Sequence, residues 1–224
     1  MSDPFVAIST VADGSMYNRQ DPLDTKVINN RRTFLSKLGI ELIHATRVKT
    51  VYEGDDYCRY HEVTLAQAGD GMQDNEVIVA DGLVTRVPGH ALILPVADCV
   101  GAVFYDPDQQ ILMLSHLGRH SLEQRGGVRS VEYLVQHYDV DPGHLKVWLT
   151  PAPGKDVYPI WALDNKGMKE VTFEQLATAG IQPENIVDNP ADSTKDLNYY
   201  SYSEFLKGNR DEDGDHMMIA MMNR

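Results

Sequence analysis

Short apolar runs with strand-like alternation fill most of this chain, interrupted in a few places by apolar positions that recur at helical spacing. Phe5 to Thr10 reads as a strand, broken by the turn residues Asp13-Gly14-Ser15. Val27, Ile28, Phe34, Leu35 and Leu38 share one helical period; Asp24 can cap the start and Gly39 supplies a stop, so a helix is predicted from Asp24 to Leu38. Ile40 to Val51 and Val77 to Leu83 are predicted strands. Between them lies the polar segment Glu53 to Asn75, in which Tyr57 to Leu65 is a further candidate strand. Ala91 to Ala97, Gly101 to Tyr105 and Ile111 to Ser115 are apolar, β-rich runs, and Asp106 to Gln110 is a link short enough to make the last two a hairpin. A second helix is expected from Ser121 or Gly127 to Tyr138, with Val128, Val131, Leu134, Val135 and Tyr138 on one side. His144 to Thr150 reads as a strand, Thr172 to Ala179 as a short helix ended by Gly180, and His216 to Met222 as a terminal strand. No repeat, coiled coil or long linker interrupts this order, which predicts one α+β domain over residues 1–224, with mixed β-sheets flanked by helices.

Length and charge narrow the function. A chain of 224 residues can bury a large core without a disulfide or a structural metal. Its formal charge of −13 repels a nucleic acid backbone or an anionic membrane, so neither is an expected partner. An anionic substrate therefore has to meet local positive charge. Two cysteines, Cys58 and Cys99, make no disulfide framework, and residues 1–30 lack the basic start and long apolar segment of a secretory signal; a cytoplasmic, reducing location is expected. The longest clean apolar stretch, Ala91 to Val96, is far shorter than the ~20 residues that span a bilayer.

Three residues carry the candidate chemistry. Cys99 and His116 end consecutive apolar runs, and His44 lies on an earlier one. One thiol and two imidazoles can hold a catalytic zinc with its fourth position open. Each also has a plainer role: a buried cysteine is commonly an inert small hydrophobe, and a histidine at a strand end a satisfied polar group. The spacing matches neither a CxxC nor an HExxH pattern. Asp98, beside Cys99, is a candidate proton carrier or partner of the site, or simply caps the strand-end turn. Met217, Met218, Met221 and Met222 fit a core strand, Asp211 to Asp215 a solvated turn, and Trp148 and Trp161 packing positions.

The segments Ala80-Asp81-Gly82-Leu83-Val84-Thr85, Ala97-Asp98-Cys99 and Ser115-His116-Leu117-Gly118, with Leu42-Ile43-His44-Ala45 upstream, resemble the laccase-domain family once called multicopper polyphenol oxidases. Its pattern runs ADG-x-[VI]-T, T-ADC and H-A-G-W-R-G, with Q-V-H-G earlier, and the seventeen-residue step from cysteine to histidine is kept between Cys99 and His116. The likeness extends over nearly the whole chain, through Ile8-Ser9-Thr10, Asn30-Arg31 and Tyr199 to Tyr202. It implies a laccase-domain fold similar to that of toxin deamidases, and a zinc-dependent purine nucleoside phosphorylase with accompanying adenosine deaminase activity. Its substrates would be inosine, adenosine or methylthioadenosine with phosphate. The resemblance places the zinc ligands and catalytic groups on His44, Cys99 and His116; Arg47, Arg119 and His120 are candidates for holding phosphate. Copper is less expected than zinc, because multicopper oxidation needs about four ions and many more histidines. The chain departs from the pattern at Val11, at Leu42, at Arg119-His120-Ser121 after the histidine, and at Asp192-Ser193-Thr194. Two other readings stay open: a thiol hydrolase or deamidase-like enzyme with Cys99 as nucleophile and His116 as base, and a non-catalytic metal-binding domain. A monomer or homodimer is expected.

Overall fold

Alternation along Ala91–Val96 lets one strand serve two cores in the computed structural model, which describes residues 2–73 and 77–223. The strands are β1 (Phe5–Ile8), β2 (Ala45–Lys49), β3 (Tyr60–Glu62), β4 (Ile78–Val79), β5 (Gly82–Thr85), β6 (Ala91–Val96), β7 (Val100–Asp106), β8 (Ile111–Leu117), β9 (Lys146–Leu149), β10 (Ile186–Asp188) and β11 (His216–Met221). The helices are α1 (Thr25–Lys37), α2 (Arg119–Glu123), α3 (Gly126–Tyr138), α4 (Met168–Thr178) and α5 (Tyr202–Leu206). One mixed sheet has the order β1-β11-β6-β2-β4, the other β10-β9-β7-β8-β5-β3.

Leu92, Leu94 and Val96 of β6, with Met218 and Ala220 of β11, face Val103, Tyr105, Leu112 and Leu114 of the second sheet and form the core between the sheets. Ala91 and Ile93, with Met217 and Ile219, point the other way onto Phe34 and Leu35 of α1. The outer face of the second sheet, including Val100, Phe104 and Met113, packs on Leu122, Val131, Leu134 and Leu176 of α2, α3 and α4. The result is a helix–sheet–sheet–helix stack forming a single α+β domain. Each fully buried Leu, Ile or Phe in it contributes about 1.5–3 kcal/mol.

Local signals explain most boundaries. The Asp24 side chain accepts from Lys26 N and caps α1, and Gly39 ends it at φ +73°. The hairpin pairs Asp106 with Ile111. The predicted second helix is two, α2 and α3, separated at Arg125, which takes a left-handed conformation at φ 62°. The strand expected from Ile40 begins only at Ala45, because Leu42–His44 forms a 3-10 turn. The strand expected over Val77 to Leu83 is split by the turn at Ala80-Asp81. The end of the polar segment predicted to reach Asn75 lies outside the described residues. α4 starts earlier than expected, at Met168. Trp161 is 80% exposed and therefore not a packing residue, whereas Trp148 packs against the inter-sheet core. Among the described residues no helix is long and apolar enough to cross a membrane.

His216, the first residue of β11, is fully buried; neither ring nitrogen has a hydrogen-bond partner among the described residues, and Tyr199 lies edge-on at 5.4 Å. Burial pulls its pKa down from 6.5 to about 4. The native state thus binds this proton less readily than the unfolded chain, and the contribution present above pH 6.5 is lost as pH falls toward 4. Chemical denaturation at pH 7.5 and pH 4 checks this: His216→Leu should gain stability relative to the parent by about 3 kcal/mol between the two pH values. An unchanged difference would contradict the burial argument.

Candidate active site

The turn between β6 and β7 places the sulfur. After Val96 the chain reverses through Ala97-Asp98-Cys99, with Asp98 at φ 67°, a left-handed conformation that a short polar residue tolerates better than a branched one. Asp98 does not cap its own turn. Its Oδ1 accepts from Ser193 Oγ at 3.1 Å and its Oδ2 from the backbone N of Ser203 at 2.6 Å, tying the turn to the start of α5. Cys99 precedes Val100, which pairs with Leu117, while Gly101 pairs with His116. The thiol and the imidazole therefore project from neighbouring strands at almost the same level.

Gly118 shows how closely they converge. A Cβ on that residue would lie 2.6 Å from His116 Cε1, 3.1 Å from Nε2 and 3.2 Å from Cys99 Sγ, so both groups flank one point and leave no space for a side chain. From behind, His116 N donates to Asp81 O at 2.7 Å. The Asp81 carboxylate is held by Arg59 through Nε at 2.7 Å and Nη2 at 3.0 Å.

Cys99 and His116 open onto a cavity of about 380 Å³. Tyr17 and Tyr52 supply aromatic surface there, and Arg19, Arg47 and Lys49 supply positive charge. Arg47 is buried, its Nε donating to Gly71 O at 2.5 Å and its guanidinium 5.3 Å from the centre of the Tyr17 ring. Arg31 of α1, also buried, donates to the carbonyls of Met16 and Met72 and so fixes the segments beneath this wall. Asp215 lines the cavity as well, its Oδ1 2.5 Å from Arg19 Nη2, while Arg19 Nη1 reaches Asp213 at 2.6 Å. The acidic segment expected to be a solvated turn thus contributes a buried carboxylate to the site.

Burial dominates the protonation states. It pushes the Cys99 thiol up to about 12, with the Asp98 and Asp215 carboxylates adding to the rise. It pulls His116 down to about 4, the Asp81 charge opposing weakly. Asp215 is raised by burial to about 6, against the downward pull of Arg19. At neutral pH a neutral thiol therefore faces a neutral imidazole. The charges of Arg19 and Arg119 favour the thiolate but do not offset its burial.

His44 does not join them. β2 runs parallel to β6 with Ala45 opposite Ala91, so His44, exposed, is level with His90, just before β6 begins. Its charge acts on His90, whose Nε2 lies 2.7 Å from Thr46 Oγ1. Cys99 follows the other end of β6, about 20 Å away at strand rise. The expected ligand set of His44, Cys99 and His116 is therefore separated by the length of a strand. The nearby carboxylates are engaged elsewhere, Asp98 with Ser193 and Ser203 and Asp215 with Arg19. Among the described residues no group of three or more His, Cys, Asp or Glu is placed to hold a metal ion. The donor set consequently does not fit the zinc that the resemblance implies, nor copper.

Of the expected phosphate ligands, Arg47 lines the cavity and the other two do not. Arg119 begins α2 and is exposed, its charge reaching Cys99 only as a field that lowers the thiol slightly. His120 stacks on Tyr57 at 4.8 Å and lies 3.5 Å from Glu123. Sequence reasoning missed Arg19, Lys49, Tyr17, Tyr52 and Asp215. Only Lys49 left a signal: laid by its valine instead of its histidine, the Q-V-H-G motif falls on Arg47-Val48-Lys49-Thr50.

The raised thiol has a direct consequence. Iodoacetamide should alkylate Cys99 in the native protein at pH 8 at least about tenfold more slowly than in the unfolded chain, as read by peptide mapping that separates it from Cys58. Native and unfolded rates that coincide would contradict the assignment.

Comparison with known proteins agrees with this architecture. No curated protein matches the chain. Among solved structures, the Bacillus licheniformis hypothetical protein YfiH aligns with a TM-score of 0.83 at 21% identity, over 97% of this chain and 92% of that one. YlmD from Geobacillus stearothermophilus gives 0.83 at 21%, over 100% and 93%. The Neisseria meningitidis protein NMB0706 gives 0.70 at 13%, over 100% and 96%. These likenesses establish the fold. The family model described as multi-copper polyphenol oxidoreductase laccase matches residues 16–166, the greater part of the sequence, and the chain belongs to that laccase-domain family.

Proposed function

We propose that the cavity binds a purine nucleoside together with phosphate and that the protein is a nucleoside phosphorylase. The observation that carries this reading is the assembly, in a chain of charge −13, of Arg19, Arg47 and Lys49 with two tyrosine rings in the cavity that holds Cys99 and His116. A flat heterocycle stacks on aromatic surface, and an oxyanion needs charge-assisted donors. Phosphorolysis forms a bond from a phosphate oxygen to the anomeric carbon while the glycosidic C–N bond breaks, its electron pair leaving with the base. The base is a better leaving group when one of its ring nitrogens takes up a proton. Asp215, raised to about 6 and open to the cavity, is the group whose proton affinity lies nearest neutral pH. The residues around Cys99 offer no donor set for the activated water that adenosine deamination requires.

The convergence of Cys99 and His116 on Gly118 favours one alternative, a thiol enzyme with His116 as base. A thiol pushed up to about 12 counts against it. Cys99→Ala separates the two, because a thiol enzyme loses its chemistry entirely whereas a phosphorylase whose proton donor is Asp215 keeps turnover.

The test is release of free base from inosine, adenosine and methylthioadenosine, with and without phosphate. Phosphate-dependent release is expected from at least one of them. The rate should fall as pH rises above about 6, where Asp215 loses its proton, and Asp215→Asn should lower it by about a hundredfold or more. No base release from any of the three would overturn the reading.

A further inference from the structure

The strand that reaches the cavity beside Cys99 and His116 arrives there with Lys49. β2 enters from the end marked by His44 and leaves at Lys49, which lines the cavity wall. Arg47, two residues earlier and on the same face of the strand, lines it as well. In the register that keeps the valine of Q-V-H-G, the position of that motif's histidine is this lysine. A protonated amine has no lone pair for a metal; it offers a full positive charge and three donors. Cys99 and His116 alone are fewer than the three protein ligands of a catalytic zinc site, and an ammonium lining the same cavity repels a dication.

The surroundings leave that charge available. Arg19 spends its guanidinium on Asp213 and Asp215, and Arg47 turns inward to Gly71 O. The Lys49 ammonium, among the described residues, makes no ion pair, although the chain holds 33 acidic residues. Of the cavity's carboxylates, Asp215 is bound to Arg19 and Glu53 makes no ion pair with Lys49 among the described residues, so this cation is placed for an anionic ligand.

We propose that Lys49 is the resident cation of this cavity, standing where a third metal donor would be needed, and that it binds the phosphate of the substrate without zinc. This rests on the phosphate-binding reading above and deepens it by naming the group that holds the anion. Lys49 hydrogen-bonds the oxyanion as a point charge on a flexible stem, so arginine can replace it in part and methionine cannot.

The experiment uses the full chain and two probes, zinc and inorganic phosphate. After incubation with zinc and gel filtration, the parent protein should retain less than about a tenth of an equivalent of metal. Its phosphate affinity, measured by calorimetry, should be the same with and without chelator. Lys49→Met should weaken phosphate binding by about tenfold or more, and Lys49→Arg should restore most of it. Lys49→His, shown to be folded by circular dichroism, should gain about one zinc and, with cobalt, a thiolate-to-metal absorption band that disappears when Cys99→Ser is added. One zinc bound by the parent through Cys99, phosphate binding abolished by chelator, an unaffected Lys49→Met protein, or a folded Lys49→His protein that takes no metal would each overturn the proposal. Intact metal-free phosphate binding without base release from any nucleoside would remove the phosphorylase reading and leave this one. Zinc-dependent base release would do the reverse.

Discussion

The parallel pairing of Ala45–Arg47 with Ala91–Ile93 decides what the cavity contains. In two parallel strands, equivalent ends lie side by side, so whatever precedes β2 meets whatever precedes β6, and whatever ends β2 meets the turn that carries Cys99. His44 is thereby committed to His90 and solvent, and Lys49 to the cavity that also holds the thiol and the imidazole. A slip of this register would also exchange Val48, which faces the core between the sheets, with the arginine and lysine on either side of it. The cost of burying those charges in an apolar core holds the register, and with it the composition of the site.

Burial and charge then act together on the groups that remain. The thiol and imidazole are neutral because they sit where the two sheets and the C-terminal segment close over them, and Asp215 keeps a proton to unusually high pH for the same reason. Tyr52 is shifted upward as well, first by burial and then by its nearness to Cys99. Three cations, Arg19, Arg47 and Lys49, face two carboxylates, Glu53 and Asp215, in the lining of this cavity inside a strongly acidic protein, and the cations come from two separate segments, the loop carrying Arg19 and strand β2. That division builds the cationic wall from a loop and the first sheet, and sets the thiol–imidazole pair at one end of the second.

Much of the fold was readable because local rules coincide with the tertiary result. The apolar alternation of Ala91–Val96 and His216–Met221 became strands whose two faces serve two cores, and Asp24 and Gly39 bounded α1 as capping chemistry requires. The gap between α2 and α3 falls at Arg125, just before Gly126-Gly127; the glycine pair marks a break in the sequence but not that a separate short helix precedes it. At the site, Cys99 and His116 were legible because a hairpin joins their strands and sequence distance translates directly into register. His44 misled because β2 contacts β6 across a long connection, and which end of a strand meets a partner is not encoded in residue spacing. Arg19 and Asp215 were invisible for a related reason: charged residues in polar stretches normally face water, and only the packing of distant segments encloses these, whereas Lys49 left the alternative register of Q-V-H-G as its one signal.

The measurement that bears most directly on this account is a crystal structure of the protein grown with inorganic phosphate and zinc together. The expected density is a phosphate bonded to the Lys49 ammonium beside Cys99 and His116, with no metal between the thiol and the imidazole and with His44 in solvent at the opposite end of β2. Density for an ion bound jointly by His44, Cys99 and His116, or by Cys99 and His116 with Lys49 turned away from the cavity, would contradict it.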